Sequence, residues 1–261
     1  MLFHQSGEIR YISFDILLRE GVTNAIFTRQ GGVSRSPWHS LNLNWFNGDH
    51  PDHVVENHHR AFQAVGRDLS SLCDACQVHG TDVYIFEHPP REHHPHQKPK
   101  ADALLTNNPR VTLLMRYADC VPVLLFDPRY RIAGIVHSGW RGTVKRVAAA
   151  AVAKMTSQYG SNPAEILAGI GPSICVDHYE VGGEVVTEAV ATFGDARSCL
   201  VRKNGSVNFD LWTANRQVLE DAGVRKIEIA ELCTAHDLEN WFSYRKENQK
   251  TGGFAALIAL E

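Results

Sequence analysis

Three short apolar runs mark the centre of the chain: residues 111–115 (VTLLM), 121–126 (VPVLLF) and 132–136 (IAGIV). Their length, their β-branched content and the turn formers between them predict strands. Asp127-Pro128 stops the second run, and Gly139 and Gly142 bracket the turn after the third. The pattern then changes to a helical one over residues 145–160, with Thr143 as the predicted N-cap and Gly160 as the stop. Residues 165–170 predict another strand, closed by Gly171-Pro172. Helices are predicted over residues 181–193 and 211–222, the latter ending at Gly223. Strands and helices alternate too freely for an all-α or all-β protein, so the expected class is α/β or mixed α+β. No repeat and no long linker divides the 261 residues, and a single domain spanning 1–261 is expected. The stretch 87–100 is rich in proline and histidine and predicts an exposed loop. His93, His94 and His96 there have nothing to fix a metal geometry.

The pattern also places chemistry. The runs at 121–126 and 132–136 are too close for a parallel crossover, so they predict an antiparallel hairpin. A turn centred between Pro128 and Arg129 would set Cys120 opposite His137, with Cβ atoms about 4.5–5.5 Å apart. At that separation a thiolate and an imidazole can share a metal or act as a nucleophile–base pair. His79, in Gln77-Val78-His79-Gly80, also sits at a predicted strand end. One cysteine and two histidines leave a tetrahedral position open, the arrangement of a catalytic zinc. Asp119 and Asp82 are candidate carboxylates for orienting the ligands. Spacing alone leaves the alternative open, because a hydrogen-bonded histidine at a strand end would account for His137 or His79 equally well.

Composition removes other classes. A net charge of −3 gives no electrostatic reason to expect nucleic acid or an anionic membrane as partner. No uncharged apolar run approaches the roughly 18 residues of a membrane span. The N-terminal stretch lacks the pattern of a signal peptide, so a cytoplasmic location is expected. The six cysteines then count as thiols or ligands rather than disulfides. Cys73 and Cys76 form a lone Cys-x-x-Cys without a second pair, and Cys175, Cys199 and Cys233 look like core or near-core thiols. Trp140 offers a stacking face for a purine or simply packs. Arg141 offers a planar fork for an anion or a local salt bridge. Arg29, beside Gly31-Gly32, offers a phosphate contact or a turn arginine.

Many of these residues lie in strings that resemble one family. The strings are Thr28–Ser34 with the order Thr-Arg-Gln-Gly-Gly-Val-Ser, Ser40-Leu41-Asn42-Leu43, Gln77-Val78-His79-Gly80, Ala101-Asp102-Ala103, Asp119-Cys120-Val121-Pro122, His137-Ser138-Gly139-Trp140-Arg141-Gly142, Gly169-Ile170-Gly171-Pro172, Tyr179-Glu180-Val181, Cys233-Thr234 and Phe242-Ser243-Tyr244-Arg245. In that order they resemble the laccase-domain, or YfiH-type, family. The resemblance implies a single α/β domain of packed sheets flanked by helices, similar to cysteine hydrolases of the deamidating-toxin type. It implies zinc held by His79, Cys120 and His137. It also implies purine nucleoside phosphorylase activity on adenosine, inosine and methylthioadenosine, with adenosine deaminase as a side activity. The expected partners are a purine nucleoside and phosphate, in a monomer or homodimer. The chain departs from the family pattern at Lys246-Glu247 and at Gly253, where relatives often carry arginine or Asp-Gly, and at Ala103-Leu104. The alternative activity is a Cys–His hydrolase, with Cys120 as nucleophile and His137 as base, acting on a cell-wall precursor amide. Copper polyphenol oxidation is the weakest expectation, since multicopper enzymes need many more histidines in paired motifs.

Overall fold

The computed structural model describes residues 1–90, 98–194, 199–203 and 205–261. His93, His94 and His96 lie outside them. Two six-stranded sheets carry the architecture. The first contains β1 (Leu2–Ser6), β2 (Ile9–Ser13), β3 (Val22–Phe27), β4 (Leu72–Asp74), β7 (Thr112–Tyr117) and β14 (Phe254–Leu260), ordered β1-β2-β3-β14-β7-β4. The second contains β5 (Val83–Ile85), β6 (Ala103–Thr106), β8 (Val121–Asp127), β9 (Ile132–Ser138), β10 (Leu167–Ile170) and β13 (Lys226–Ile229), ordered β13-β10-β8-β9-β6-β5. A small hairpin joins β11 (Leu200–Lys203) to β12 (Ser206–Phe209). The helices are α1 (Asp15–Leu18), α2 (Pro51–Ala64), α3 (Trp140–Val144), α4 (Val147–Tyr159), α5 (Gly183–Phe193) and α6 (Leu211–Asp221).

Strand periodicity sorts these elements into layers. Phe126, Ala133 and Ile135 of the second sheet meet Leu113, Met115, Phe254 and Ile258 of the first in one buried cluster between the sheets. The alternate residues Val121, Val123, Leu125 and Val136 face outward and pack on Val152, Met155, Ala214 and Val218 of α4 and α6. Ala25, Phe27 and Leu257 on the outer face of the first sheet meet Ala61 and Phe62 of α2. The result is a helix–sheet–sheet–helix sandwich, of the mixed α/β class expected from the pattern and with the packed sheets implied by the family resemblance.

Two local expectations are corrected. The β8–β9 hairpin forms, but its register pairs Pro122 with His137 and Val121 with Ser138. Asp127 continues the ladder opposite Ile132, and its carboxylate accepts hydrogen bonds from the Arg129 and Tyr130 amides at 2.8 and 3.2 Å. The turn is therefore Pro128–Arg131, with Arg131 at φ 53°. This centre lies one residue further along than the predicted one, so Cys120 and His137 are diagonal rather than directly opposed. The shift of two residues preserves the face. The predicted helix over 145–160 also starts later than expected, at Val147 of α4. Arg146 takes φ 63° between α3 and α4, and Thr143 is not a cap. Its hydroxyl joins Ser138 and the Asn215 side-chain amide instead, at 3.0 Å each. Gly160 ends α4 in the left-handed conformation as expected.

Candidate metal centre

The chain passes from the first sheet to the second in two links that matter for chemistry. Residues 75–82 lead from β4 to β5 and carry His79. Residues 118–120 lead from β7 to β8 and carry Cys120. Both links turn sharply at non-glycine residues in the left-handed region, His79 at φ 58° and Asp119 at φ 85°. Gln77 fixes the first link to the end of β7, just before the second link, by exchanging hydrogen bonds with both backbone groups of Arg116, at 2.7 and 3.0 Å. His137, near the end of β9, points from the inter-sheet face toward the same corner. The Nε2 of His79 is 3.9 Å from the Cys120 sulfur, and the ligand atoms of His79, Cys120 and His137 lie within 4.8 Å of one another. Gly139 leaves the space they occupy. A Cβ there would sit 2.7 Å from the Cys120 sulfur and 3.2 Å from a His79 ring carbon.

Asp102 organises the group. It immediately precedes β6, is fully buried, and its Oδ1 accepts from His137 Nδ1 at 2.8 Å and from the His79 amide at 3.0 Å. Its Oδ2 accepts from the amides of Val78 and Gly80 at 3.1 and 2.7 Å. One carboxylate thus fixes the His137 ring and folds the His79 loop around itself. Burial alone would raise its pKa, but the bond from His137 and the backbone amides bring it below the ordinary value. The expected carboxylates have other places. Asp82 is exposed and contributes its backbone carbonyl to the amides of Asp102 and Ala103. Asp119 accepts from Thr234 Oγ1 at 2.6 Å and from the Arg245 amide at 2.7 Å, so it joins three loops behind Cys120. Asp102 had a signal in the sequence: an acidic residue between alanines at the start of an apolar strand.

One thiol and two imidazoles, with His79 exposed and Cys120 partly so, form a donor set that fits a metal with one side open to substrate. Electrostatics favour the thiolate of Cys120. Burial would raise the Cys120 pKa, but His137 and His79 more than offset it and bring it to about 6. Burial would likewise lower His137, yet Cys120 and Asp102 raise it to about 9. Without metal, the pair is therefore a thiolate–imidazolium pair near neutral pH. Metal-stripped protein is expected to alkylate at Cys120 with a midpoint near pH 6, the rate rising as pH rises through it. Bound zinc would suppress the reaction. Cys73, pushed up to about 12 by burial, stays unreactive across that range. Iodoacetamide labelling followed by peptide mapping reads both; a Cys120 midpoint above pH 8 would contradict the electrostatics.

The other candidates are distributed around this corner. Trp140 starts α3, with the Arg141 guanidinium 4.3 Å from its ring centroid. Arg141 is half exposed and its partner Glu184, 3.7 Å away, is more exposed still. Tyr179 and Arg245, absent from the expected set, also border the corner: Arg245 lies over Tyr179 at 5.0 Å and donates to the Glu180 carbonyl at 3.0 Å. Arg29 is committed elsewhere. Its Nε donates to His39 O at 2.8 Å, its Nη1 to Leu238 O and to Glu247 at 3.0 Å each, and it stacks on Phe242. Its glycine neighbourhood serves close backbone packing: a Cβ at Gly32 would lie 2.2 Å from Ser40 O. Cys73 and Cys76 belong to no metal-capable group among the described residues. A second group of four side chains, Cys175, His178, Cys233 and His236, was hidden in what the sequence suggested were core thiols.

A profile described as multi-copper polyphenol oxidoreductase laccase matches residues 23–261. The chain is 36% identical over 240 residues to a purine nucleoside phosphorylase of Deinococcus radiodurans, covering 92% of this chain and 89% of that protein. It is also 36% identical over 241 residues to the purine nucleoside phosphorylase YfiH of Escherichia coli, covering 92% and 95%. The crystal structure of Bacillus licheniformis hypothetical protein YfiH superimposes with a TM-score of 0.92 at 31% identity, covering 99% of each chain.

Proposed function

The chain belongs to the multi-copper polyphenol oxidoreductase laccase family, and from that premise we propose that it is a zinc-dependent purine nucleoside phosphorylase with adenosine deaminase as a side activity. Its substrates would be adenosine, inosine and methylthioadenosine with phosphate, and its products a free base and a ribose 1-phosphate. The observation that carries this is the convergence of His79, Cys120 and His137 on one solvent-facing corner, with Asp102 fixing the His137 ring. The relatives named purine nucleoside phosphorylase supply the reaction class. When bound there, zinc would supply Lewis acidity toward a substrate oxygen or nitrogen.

The chain's own residues have separable tasks. Asp102 keeps Nδ1 of His137 protonated, so Nε2 faces the site as a neutral ligand. Trp140 offers a face to the purine. Arg141 exchanges its loose contact with Glu184 for a phosphate oxygen. A phosphate oxygen then bonds to C1′ on the face opposite the base, the C1′–N bond breaks, and the base leaves with the bonding pair and takes a proton. Deamination of adenosine uses the same corner with water and needs no phosphate. Among the described residues no helix is long and apolar enough to span a membrane.

Arg141 gives the distinguishing experiment. Arg141→Ala is expected to raise the KM for phosphate about tenfold or more, the loss of one charge-assisted contact. Adenosine deamination should stay within about twofold, since it uses no anion. Equal losses in both reactions would remove Arg141 from the phosphate site. Arg29 is not expected to behave this way, because its donors hold His39, Leu238 and Glu247. The alternative is the Cys–His hydrolase, and the low pKa of Cys120 beside His137 and Asp102 favours it. It requires activity in metal-free protein, whereas the phosphorylase requires metal.

A further inference from the structure

Strands β10 and β13 are parallel neighbours, and the segments that follow them stay paired. Ser173 bridges Cys233, the Ser173 amide donates to Leu232 O at 3.2 Å, and the Thr234 amide donates to Ser173 O at 3.1 Å. Each segment then makes the same short turn. His178 N donates to Cys175 O at 3.1 Å, and His236 N donates to Cys233 O at 3.3 Å. Two Cys-x-x-His turns, 58 residues apart in sequence, are thereby placed side by side.

We infer that Cys175, His178, Cys233 and His236 form a second, structural zinc site that is separate from the His79–Cys120–His137 centre. All four ligand atoms lie within 4.8 Å of one another. The Cys175 sulfur is 3.7 Å from Nδ1 of His178 and 3.7 Å from Nδ1 of His236. The Cys233 sulfur is 3.6 Å from Nδ1 of His178. Zinc–sulfur bonds of about 2.3 Å and zinc–nitrogen bonds of about 2.0–2.1 Å give tetrahedral sulfur–nitrogen edges of about 3.6 Å. Both imidazoles turn the same nitrogen inward. The Cys175 amide donates to the Cys233 sulfur at 3.3 Å, a contact that stabilises a thiolate. Both cysteines are buried, while His236 is exposed and gives the ion a path in.

Four protein ligands close the coordination sphere, so this site holds structure rather than substrate. What it holds is the back of the first centre. Thr234, next to Cys233, donates to Asp119, and the Ile174 amide, next to Cys175, donates to Asp119 O at 3.1 Å. Asp119 precedes Cys120 in its left-handed turn. The inference does not depend on the proposed reaction.

The test uses the full chain carrying His79→Ala and Cys120→Ala, so that among the described residues only the second group remains as a metal-capable thiolate set. Titration with cobalt(II) under anaerobic, reducing conditions should give about one equivalent with tetrahedral d–d bands and a sulfur-to-cobalt charge-transfer band, both bleached by added zinc. Adding Cys233→Ser should abolish the charge-transfer intensity from that sulfur. Adding His236→Asn, at an exposed position that does not threaten the fold, should weaken cobalt binding about tenfold or more. A folded double variant with free thiols and no such bands would overturn the site, as would unchanged binding in His236→Asn. Because activity is not measured, failure here leaves the phosphorylase proposal standing, and failure of that proposal leaves this site standing.

Discussion

Asp102→Ala is expected to reduce zinc affinity at the His79–Cys120–His137 centre about 10–100-fold and to lower stability by about 3–5 kcal/mol. Four donors converge on this one carboxylate: the His137 ring and the amides of Val78, His79 and Gly80. Alanine leaves all four without their acceptor: the His137 donor is buried and costs about 1–3 kcal/mol unsatisfied, and the three part-buried loop amides add less because water can reach them. The His137 ring loses the bond that sets its tautomer, and the His79 loop loses the anchor that holds its left-handed turn. Asp102→Asn separates the two roles. Its oxygen can take the Oδ1 place, keeping His137 and the His79 amide. Its NH2 group then faces the donors of Val78 and Gly80. Zinc affinity should fall less than in the alanine variant, while much of the stability loss remains. Zinc competition with a chromogenic chelator and urea denaturation read the two quantities. Undiminished zinc affinity in Asp102→Ala would show that the triad needs no carboxylate to orient it. The pH dependence has a defined sign. Because Asp102 is held below its ordinary pKa, its contribution is complete above about pH 4 and is lost only as pH falls through the lower folded value.

Gly139→Ala tests the triad from the opposite side, through space rather than charge. Gly139 has φ −71°, a conformation alanine adopts freely, so backbone strain is not the issue. Replacing glycine there would even favour folding by about 0.4–1 kcal/mol through the unfolded chain. The difficulty is the Cβ, which would lie 2.7 Å from the Cys120 sulfur and 3.2 Å from His79. The sulfur must move by most of an ångström, and displacements of that size cost about 100-fold in turnover efficiency. The expected variant is therefore folded, nearly as stable as the parent, poor in triad zinc and about 100-fold reduced in kcat/KM. A Gly139→Ala protein with wild-type zinc content and activity would show that the metal does not sit against Cys120.

The pattern of the sequence carried the central strands β7 to β10, helices α4 to α6 and the face of the hairpin, because those follow from periodicity and burial; the remaining strands and α2 were not read from it, and the packing of sheets was implied by the family resemblance. Cys120 and His137 leave the same face for this reason, even though the turn moved their register by two. That displacement depended on the Asp127 carboxylate capping the Arg129 and Tyr130 amides, a local choice to which period-two patterning is blind. Thr143 misled because a hydroxyl before a helical run caps only if nothing better is offered, and Ser138 with Asn215 offers more. Asp102 and the Cys175–His236 group were harder to see. Each depends on segments far apart in sequence that meet only because β6 lies beside β9 and β10 beside β13. Asp82 and Asp119 were chosen for nearness in sequence to a ligand, whereas orienting a ligand needs nearness in space.

Zinc-dependent phosphorolysis is tested by product analysis of zinc-loaded wild-type protein with inosine, in the presence and absence of phosphate. Hypoxanthine and ribose 1-phosphate are expected in equal amounts, formed only when phosphate is present and lost in Cys120→Ala. No base release, or release of free ribose at the same rate without phosphate, would contradict it.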